Sequence, residues 1–224
     1  MDKTLKFAFL DALMLKPYFK KNIILILVLP IFIAATTQNL IMIITMMFML
    51  TVIFCSYPFA LNEKNDIDKF YGSLAINKNK IVSGRYLFSL MLAVISVILS
   101  IIYLFGFSFF VKNVPEAGEI VFTVGVGFLL FSIFMAIQMP IYYKLGYSKA
   151  KLWVMAPFFF IAFSAGALSK LFIGNIDLQK KFFAVGKYIE NNSALSSIIL
   201  VLAGLLIMEI SLIISQSIYR KKDF

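Results

Sequence analysis

Long apolar runs broken by short polar stretches organise this chain. Six runs stand out: Tyr18–Thr37, Leu40–Leu61, Tyr86–Val111, Ile120–Tyr142, Leu152–Phe172 and Ala194–Tyr219. Each reaches or approaches the ~20 residues a helix needs to cross a ~30 Å hydrocarbon layer. None shows the polar–apolar alternation of a barrel strand, and lipid offers no water to an open backbone, so helices are predicted throughout. The expectation is an all-α polytopic membrane protein with six transmembrane helices, folded as one domain over residues 1–224.

One break is unlike the others. Asn62–Arg85 is polar and charged over roughly two dozen residues, longer than a connection between neighbouring spans requires. It nevertheless carries Phe70, Tyr71, Leu74 and Ile76, which a solvated tether has no reason to display. Asp66 and Asp68 stand where a short helix would begin, since negative charge suits the positive end of a helix dipole. The segment reads as a short helix offering Phe70, Tyr71 and Leu74 to a partner, with Asn79 on its solvated rim.

The ends of the chain are less regular. The first run has a short apolar core, Ile23–Ala35, preceded by Lys16, Lys20 and Lys21. Snorkelling lysines lengthen such a span, so it is read as retained rather than as a cleaved signal. Ahead of it, Leu5, Phe9, Ala12 and Leu13 recur at helical spacing with Lys3, Lys6 and Asp11 between them. Residues 1–17 therefore read either as an interfacial helix or as the start of one long first helix. Ile173–Ser193 mixes Phe182, Phe183 and Tyr188 with lysines and is expected to fold back on the outer surface.

Charge sets the orientation. Most of the 21 Lys and Arg fall in residues 1–21, 62–85, 143–151 and 220–224, all on one side of a six-span chain. Basic loops stay inside, so both termini and the Asn62–Arg85 segment are expected in the cytoplasm. The net charge of +10 is explained by this distribution, not by a nucleic-acid partner. A bilayer is the expected environment.

Candidate chemistry is sparse. There is no histidine and a single cysteine, Cys55, so no internal disulfide and no His- or Cys-built metal site is possible. Without His the usual nucleophilic triads lack their base. Gly186-Lys187 lacks both the upstream glycine and the following Ser or Thr of a phosphate-binding loop. No catalytic, cofactor-binding or metal residue is expected, and an enzyme is not. Two polar residues inside spans draw notice. Glu209 lies roughly 16 Å along the helix from Arg220, near mid-membrane, where a carboxyl usually faces a bundle interior or a watery path. Gln138 precedes Pro140 and is placed to pair with a carbonyl that the proline releases. Ala162/Gly166, Ser96/Ser100 and Ser211/Ser215 are small pairs one turn apart that permit close helix contact.

With these residues in place, the chain resembles the permease subunits of type-2 ATP-binding-cassette exporters, in the branch of small bacterial six-span proteins. In that family an acidic residue after the second span precedes a short cytoplasmic helix, then a Ser-Leu-Pro-Val-x-Arg-like turn, then Ile-Val-x-x-Lys/Arg-Tyr opening the third span. Here Glu63 and Asp68 stand at the acidic positions, Ser73-Leu74-Ala75-Ile76-Asn77-Lys78 at the turn, and Ile81-Val82-Ser83-Gly84-Arg85-Tyr86 at the re-entry. Ala75 replaces the proline and Lys78 the arginine. Within the branch, the permeases of phenol-soluble-modulin exporters are similar.

The resemblance implies a plasma-membrane exporter subunit of a bacterium. It would pair with a second permease, identical or related, and with separately encoded ATPase subunits that hold the ATP and Mg. It would move an amphipathic peptide or lipid-like substrate, and couple to the ATPase through Glu63, Asp66, Asp68, Phe70, Tyr71, Ser73, Leu74, Lys78 and Arg85. The alternative is a secondary carrier or a non-transporting membrane partner. A carrier calls for coupling-ion groups and repeat symmetry, of which only Glu209 is a hint.

Overall fold

The structure is a computed structural model, and it describes residues 3–37, 39–68, 71, 77–109, 114–154 and 192–222. Six helices are fully bounded within these residues: α1 (Lys3–Thr37), α2 (Ile41–Phe54), α3 (Tyr57–Lys64), α4 (Lys78–Phe107), α5 (Ala117–Leu145) and α6 (Ser193–Arg220). Residues 147–154 are also helical. Four stretches are long and apolar enough to cross a membrane: Ile41–Lys64, Lys78–Phe107, Ala117–Leu145 and Ser193–Arg220. Most of the expected Leu152–Phe172 span, and all of 173–191, lie outside the described residues.

The first segment is one continuous helix. Lys3–Thr37 runs through both the N-terminal stretch and the first apolar run without a break. Its inner face is not the one that the apolar spacing suggests. Ala8, Asp11 and Leu15 are buried, whereas Leu5, Phe9 and Leu13 point outward. Asp11, expected among the residues of a polar outer face, is instead the buried acid of this turn.

The second apolar run is interrupted. Pro58 opens α3 and can offer no N–H to the preceding turn, so Cys55 and Ser56 form a short link between α2 and α3. Ser56 Oγ donates to Ile53 O at 2.7 Å and satisfies a carbonyl there. The third helix starts earlier than the apolar run predicts. Asn77 caps α4 with its side chain, accepting from Asn79 N at 3.0 Å, so Lys78 to Arg85 are the first turns of α4 and not loop.

Contacts fix the directions of the helices. Along α5 and α6, Gly125 abuts Ser197, Gly204 abuts Ser132, and Tyr143 packs on Tyr219 at 5.1 Å. Those pairs rise together in number, so α5 and α6 run parallel, and Leu145 and Ser193 lie at opposite ends of the pair. The approach depends on small residues. A Cβ at Gly125 would sit 2.8 Å from the Ser197 Cα, closer than real atoms come. Helix α4 is antiparallel to α6: Ser83 meets Gln216, and Tyr86 meets Ser211 and Ser215. Phe48 and Phe131 pack α2 on α5. One end of the bundle thus gathers α3, the start of α4, the end of α5 and the end of α6.

Pro140 bears on this packing. It cannot bond Ala136 O, and the released carbonyl accepts from Ser211 Oγ of α6 at 3.0 Å. Gln138, expected to serve that carbonyl, instead reaches across to Val52 O of α2 at 3.5 Å, and its Oε1 is left buried and unpaired. Ser211 and Ser215 do more than allow close contact, since both lie within hydrogen-bond distance of Tyr86 Oη, at 2.7 and 2.9 Å.

Candidate functional site

At the end where α3, α4, α5 and α6 converge, Asp68 is the hub. It follows α3 after a turn at Asn65–Asp66, where Asp66 adopts the left-handed region at φ 51°, a conformation that Asp tolerates better than most residues. Asn62 Nδ2 donates to Asp68 Oδ1 at 2.6 Å, Tyr219 Oη donates to the same oxygen at 2.9 Å, and Lys222 Nζ pairs with Oδ2 at 3.1 Å. Burial raises the carboxyl's pKa, but the Asn62 bond, the Lys222 charge and the Tyr219 bond together outweigh it and hold Asp68 below the usual carboxylate value.

A second set of bonds ties the same two regions. The ammonium of Lys78 donates to the carbonyls of Arg220, at 3.3 Å, and Lys222, at 2.6 Å. Carbonyls at the end of a helix lack intrahelical partners and carry the negative end of the dipole, so a cation is favoured there. Arg220 Nε donates back to Asn79 Oδ1 at 2.7 Å, and Gln216 Nε2 to Ser83 Oγ at 3.0 Å. Asn79 was expected on a solvated rim; it is instead part of this clasp. The end of α6 is thereby fastened to both flanks of the segment that joins α3 to α4.

Arg85 sits deeper. Its Nε lies 3.3 Å from Asp11 Oδ2, with the two side chains 3% and 7% exposed. Its guanidinium lies over the Phe59 ring, 4.2 Å from the centroid, with Tyr143 at 5.8 Å. A desolvated cation over an aromatic face gains roughly 2 kcal/mol. The pair joins α1 to α4, with α3 and α5 supplying the rings.

Glu63 works on the other side. Its Oε2 accepts from Ser148 N at 3.1 Å, capping the helix that starts at residue 147. Gly146 makes that turn at φ 76°, a backbone conformation that favours glycine. Between these groups opens a cavity of about 430 Å³, with Asn62, Arg85 and Tyr143 inside and Glu63, Asp66, Lys144 and Lys149 at its exposed rim.

Of the residues singled out from sequence, Glu63, Asp66, Asp68 and Arg85 thus meet around one cavity, with Lys78 beside it. Tyr71 is half-buried, its ring edge-on to Phe7 of α1 at 5.7 Å. Phe70, Ser73 and Leu74 lie outside the described residues. Glu209 is remote from this end, on an exposed face of α6 beside Leu205, Leu206 and Ile210. Asp11, Asn62, Tyr143, Tyr219 and Lys222 were not foreseen. Asp11 and Arg85 are 74 positions apart, and only a three-dimensional fold pairs them.

Among the described residues, four apolar stretches long enough to cross a bilayer, with a clustered polar end, fit a membrane protein. The chain belongs to the ABC-2 transporter family: the family model described as ABC-2 family transporter protein matches residues 8–220. No curated protein and no solved structure matches it. Family membership assigns it a permease role in general and implies an ATPase partner.

Proposed function

We propose that this chain is the permease subunit of an ATP-driven exporter in a bacterial plasma membrane, coupled to a separate ATPase through residues 62–85. The observation that carries the reading is the clasp between that segment and the end of α6. A push delivered between α3 and α4 cannot stay local, because Asp68, Lys78 and Asn79 hold Tyr219, Arg220 and Lys222. Helix α6 in turn packs along the length of α5 on small residues, so the displacement reaches helices that cross the bilayer.

Six spans with inner termini fit this reading. Leu145 and Ser193 lie at opposite ends of the parallel α5–α6 pair, which calls for an odd number of crossings between them. A second permease subunit is part of the proposal. Glu209 faces outward at mid-membrane, where a carboxyl against lipid tails is costly, and a neighbouring subunit would relieve that cost. The transported molecule is proposed to be an amphipathic peptide or a lipid-like compound.

Phe70 and Leu74, one turn apart in the sequence, are the proposed anchors on the ATPase. Loss of one buried anchor at an interface commonly costs about 2 kcal/mol, roughly a thirtyfold drop in affinity. Phe70→Ala and Leu74→Ala should insert at parental levels, lose co-purification with the ATPase and lose its stimulated ATP hydrolysis. Val114→Ala, at the opposite end, should change neither. Anchor variants that bind and stimulate like the parent would refute the coupling assignment.

A further inference from the structure

We infer that Tyr86 is a positioning residue for α5. Its hydroxyl turns Ser211 onto the carbonyl that Pro140 releases, and so latches one setting of α5 at its weakest point. The inference goes beyond the coupling reading and does not depend on it. A proline inside a helix removes one ladder bond, and its ring pushes the preceding turn aside, so the helix bends there. In α5 the lost bond is the one to Ala136 O, and Ser211 Oγ of α6 supplies a donor in its place at 3.0 Å. Tyr86 Oη of α4 lies 2.7 Å from Ser211 Oγ and 2.9 Å from Ser215 Oγ. Tyr86, Ser211 and Ser215 are all buried, so bulk solvent does not compete for these bonds.

One proton per hydroxyl fixes the direction of the chain. Ala136 O can only accept, so Ser211 spends its proton there. The bond between Ser211 and Tyr86 must then use the Tyr86 proton, and the bond between Tyr86 and Ser215 the Ser215 proton. The chain runs from Ser215 through Tyr86 and Ser211 to Ala136, and it ties α4, α5 and α6 at one level.

A serine within a helix commonly gives its proton back to a carbonyl of the preceding turn. Ser89, Ser96 and Ser100 of α4 and Ser132 of α5 are also buried, and each does so at 2.7 or 2.8 Å. Ser211 departs from that habit. The Tyr86 proton occupies one of its lone pairs and leaves its own hydrogen aimed across at α5. Withdrawing Tyr86 by the length of a hydrogen bond frees Ser211 to return to Ile207 O, four residues back in its own helix. Ala136 O then has no donor, and the turns of α5 beyond Pro140, which carry Tyr142 and Tyr143, are free to swing.

The test is a distance distribution from pulsed electron–electron resonance on the full chain in lipid, in a Cys55→Ser background. Spin labels go on Lys144, beyond Pro140, and on Leu13 of α1, both exposed. Excess unlabelled chain suppresses distances between copies. The parent should show one dominant distance. Loss of one ordinary hydrogen bond shifts a two-state balance about fivefold, so Tyr86→Phe and Ser211→Ala should each raise a second distance by about that factor. Ser215→Ala, at the far end of the chain, should leave the distribution as in the parent. Pro140→Ala restores an N–H that serves Ala136 O directly, so in that background Tyr86→Phe should have no effect. A merely structural tyrosine would give the same change with or without Pro140, and that result would overturn the inference. So would a Tyr86→Phe distribution identical to the parent's, or a Ser215→Ala effect as large as that of Ser211→Ala. Should Tyr86→Phe fail to fold, Ser211→Ala with and without Pro140→Ala still decides.

Discussion

The Asp11–Arg85 pair shows how one residue position is governed by its surroundings. Both groups are almost completely buried, so each is tolerable only because the other is present. Removing one partner from such a pair typically costs about 3–5 kcal/mol, whereas replacing both with apolar residues is often neutral. Arg85→Leu alone should therefore lower the thermal midpoint of the purified protein sharply, and adding Asp11→Leu should restore most of it. A double variant as unstable as the single one would place the loss in the stacking of Arg85 on Phe59. Neither role was legible in the sequence. Asp11 looked like one of several charges on an interfacial helix, and Arg85 like a loop cation, because nothing local reports a contact between positions so far apart.

At the scale of elements, apolar runs located most helices, and their ends were where the pattern failed. The helix α4 begins at Lys78 because Asn77 caps it and because Lys78 and Asn79 have partners at the end of α6. Hydropathy cannot register a polar turn that is stabilised by another element. The same contacts convert Asn79 from a neutral position into a connecting one, and Pro58 splits a run that hydropathy reads as continuous. Of the site, the acids Glu63, Asp66 and Asp68 were legible because a charged cluster after a span is conspicuous. Their partners Ser148, Tyr219 and Lys222 were not, since they are supplied by other helices.

The Asp68 clasp has a defined pH window. Its carboxyl is held below the ordinary value in the folded chain, so the stability it contributes is fully present above the unfolded pKa of about 3.9. It is lost only as pH falls through the lower folded value. Hydrogen exchange at the end of α6 should therefore stay unchanged from pH 8 to pH 5, after correction for intrinsic rates, and accelerate below about pH 4. Asp68→Asn should exchange faster throughout and show no such step. A transition between pH 6 and pH 7 in the parent would mean that another group controls the clasp.

At the scale of the whole molecule, the proposed orientation places Asn65 in the cytoplasm and Val114 outside. Both are exposed, and neither belongs to the clasp or to the cavity. In a Cys55→Ser background, a cysteine at Val114 should react with an impermeant thiol reagent in intact cells. One at Asn65 should react only after the membrane is opened. Labelling of Asn65 from outside would invert the topology and remove the coupling proposal with it.

The account turns on which end of this bundle meets an ATPase. A photo-crosslinking residue placed in turn at Phe70, Leu74, Asn39 and Val114 in the full chain, irradiated in living cells and resolved by mass spectrometry, tests that contact without knowledge of the substrate. The account predicts a covalent adduct from Phe70 or Leu74 to a protein carrying a phosphate-binding loop, and none from Asn39 or Val114. No such adduct from either anchor, or capture from the Asn39 and Val114 end instead, would contradict it.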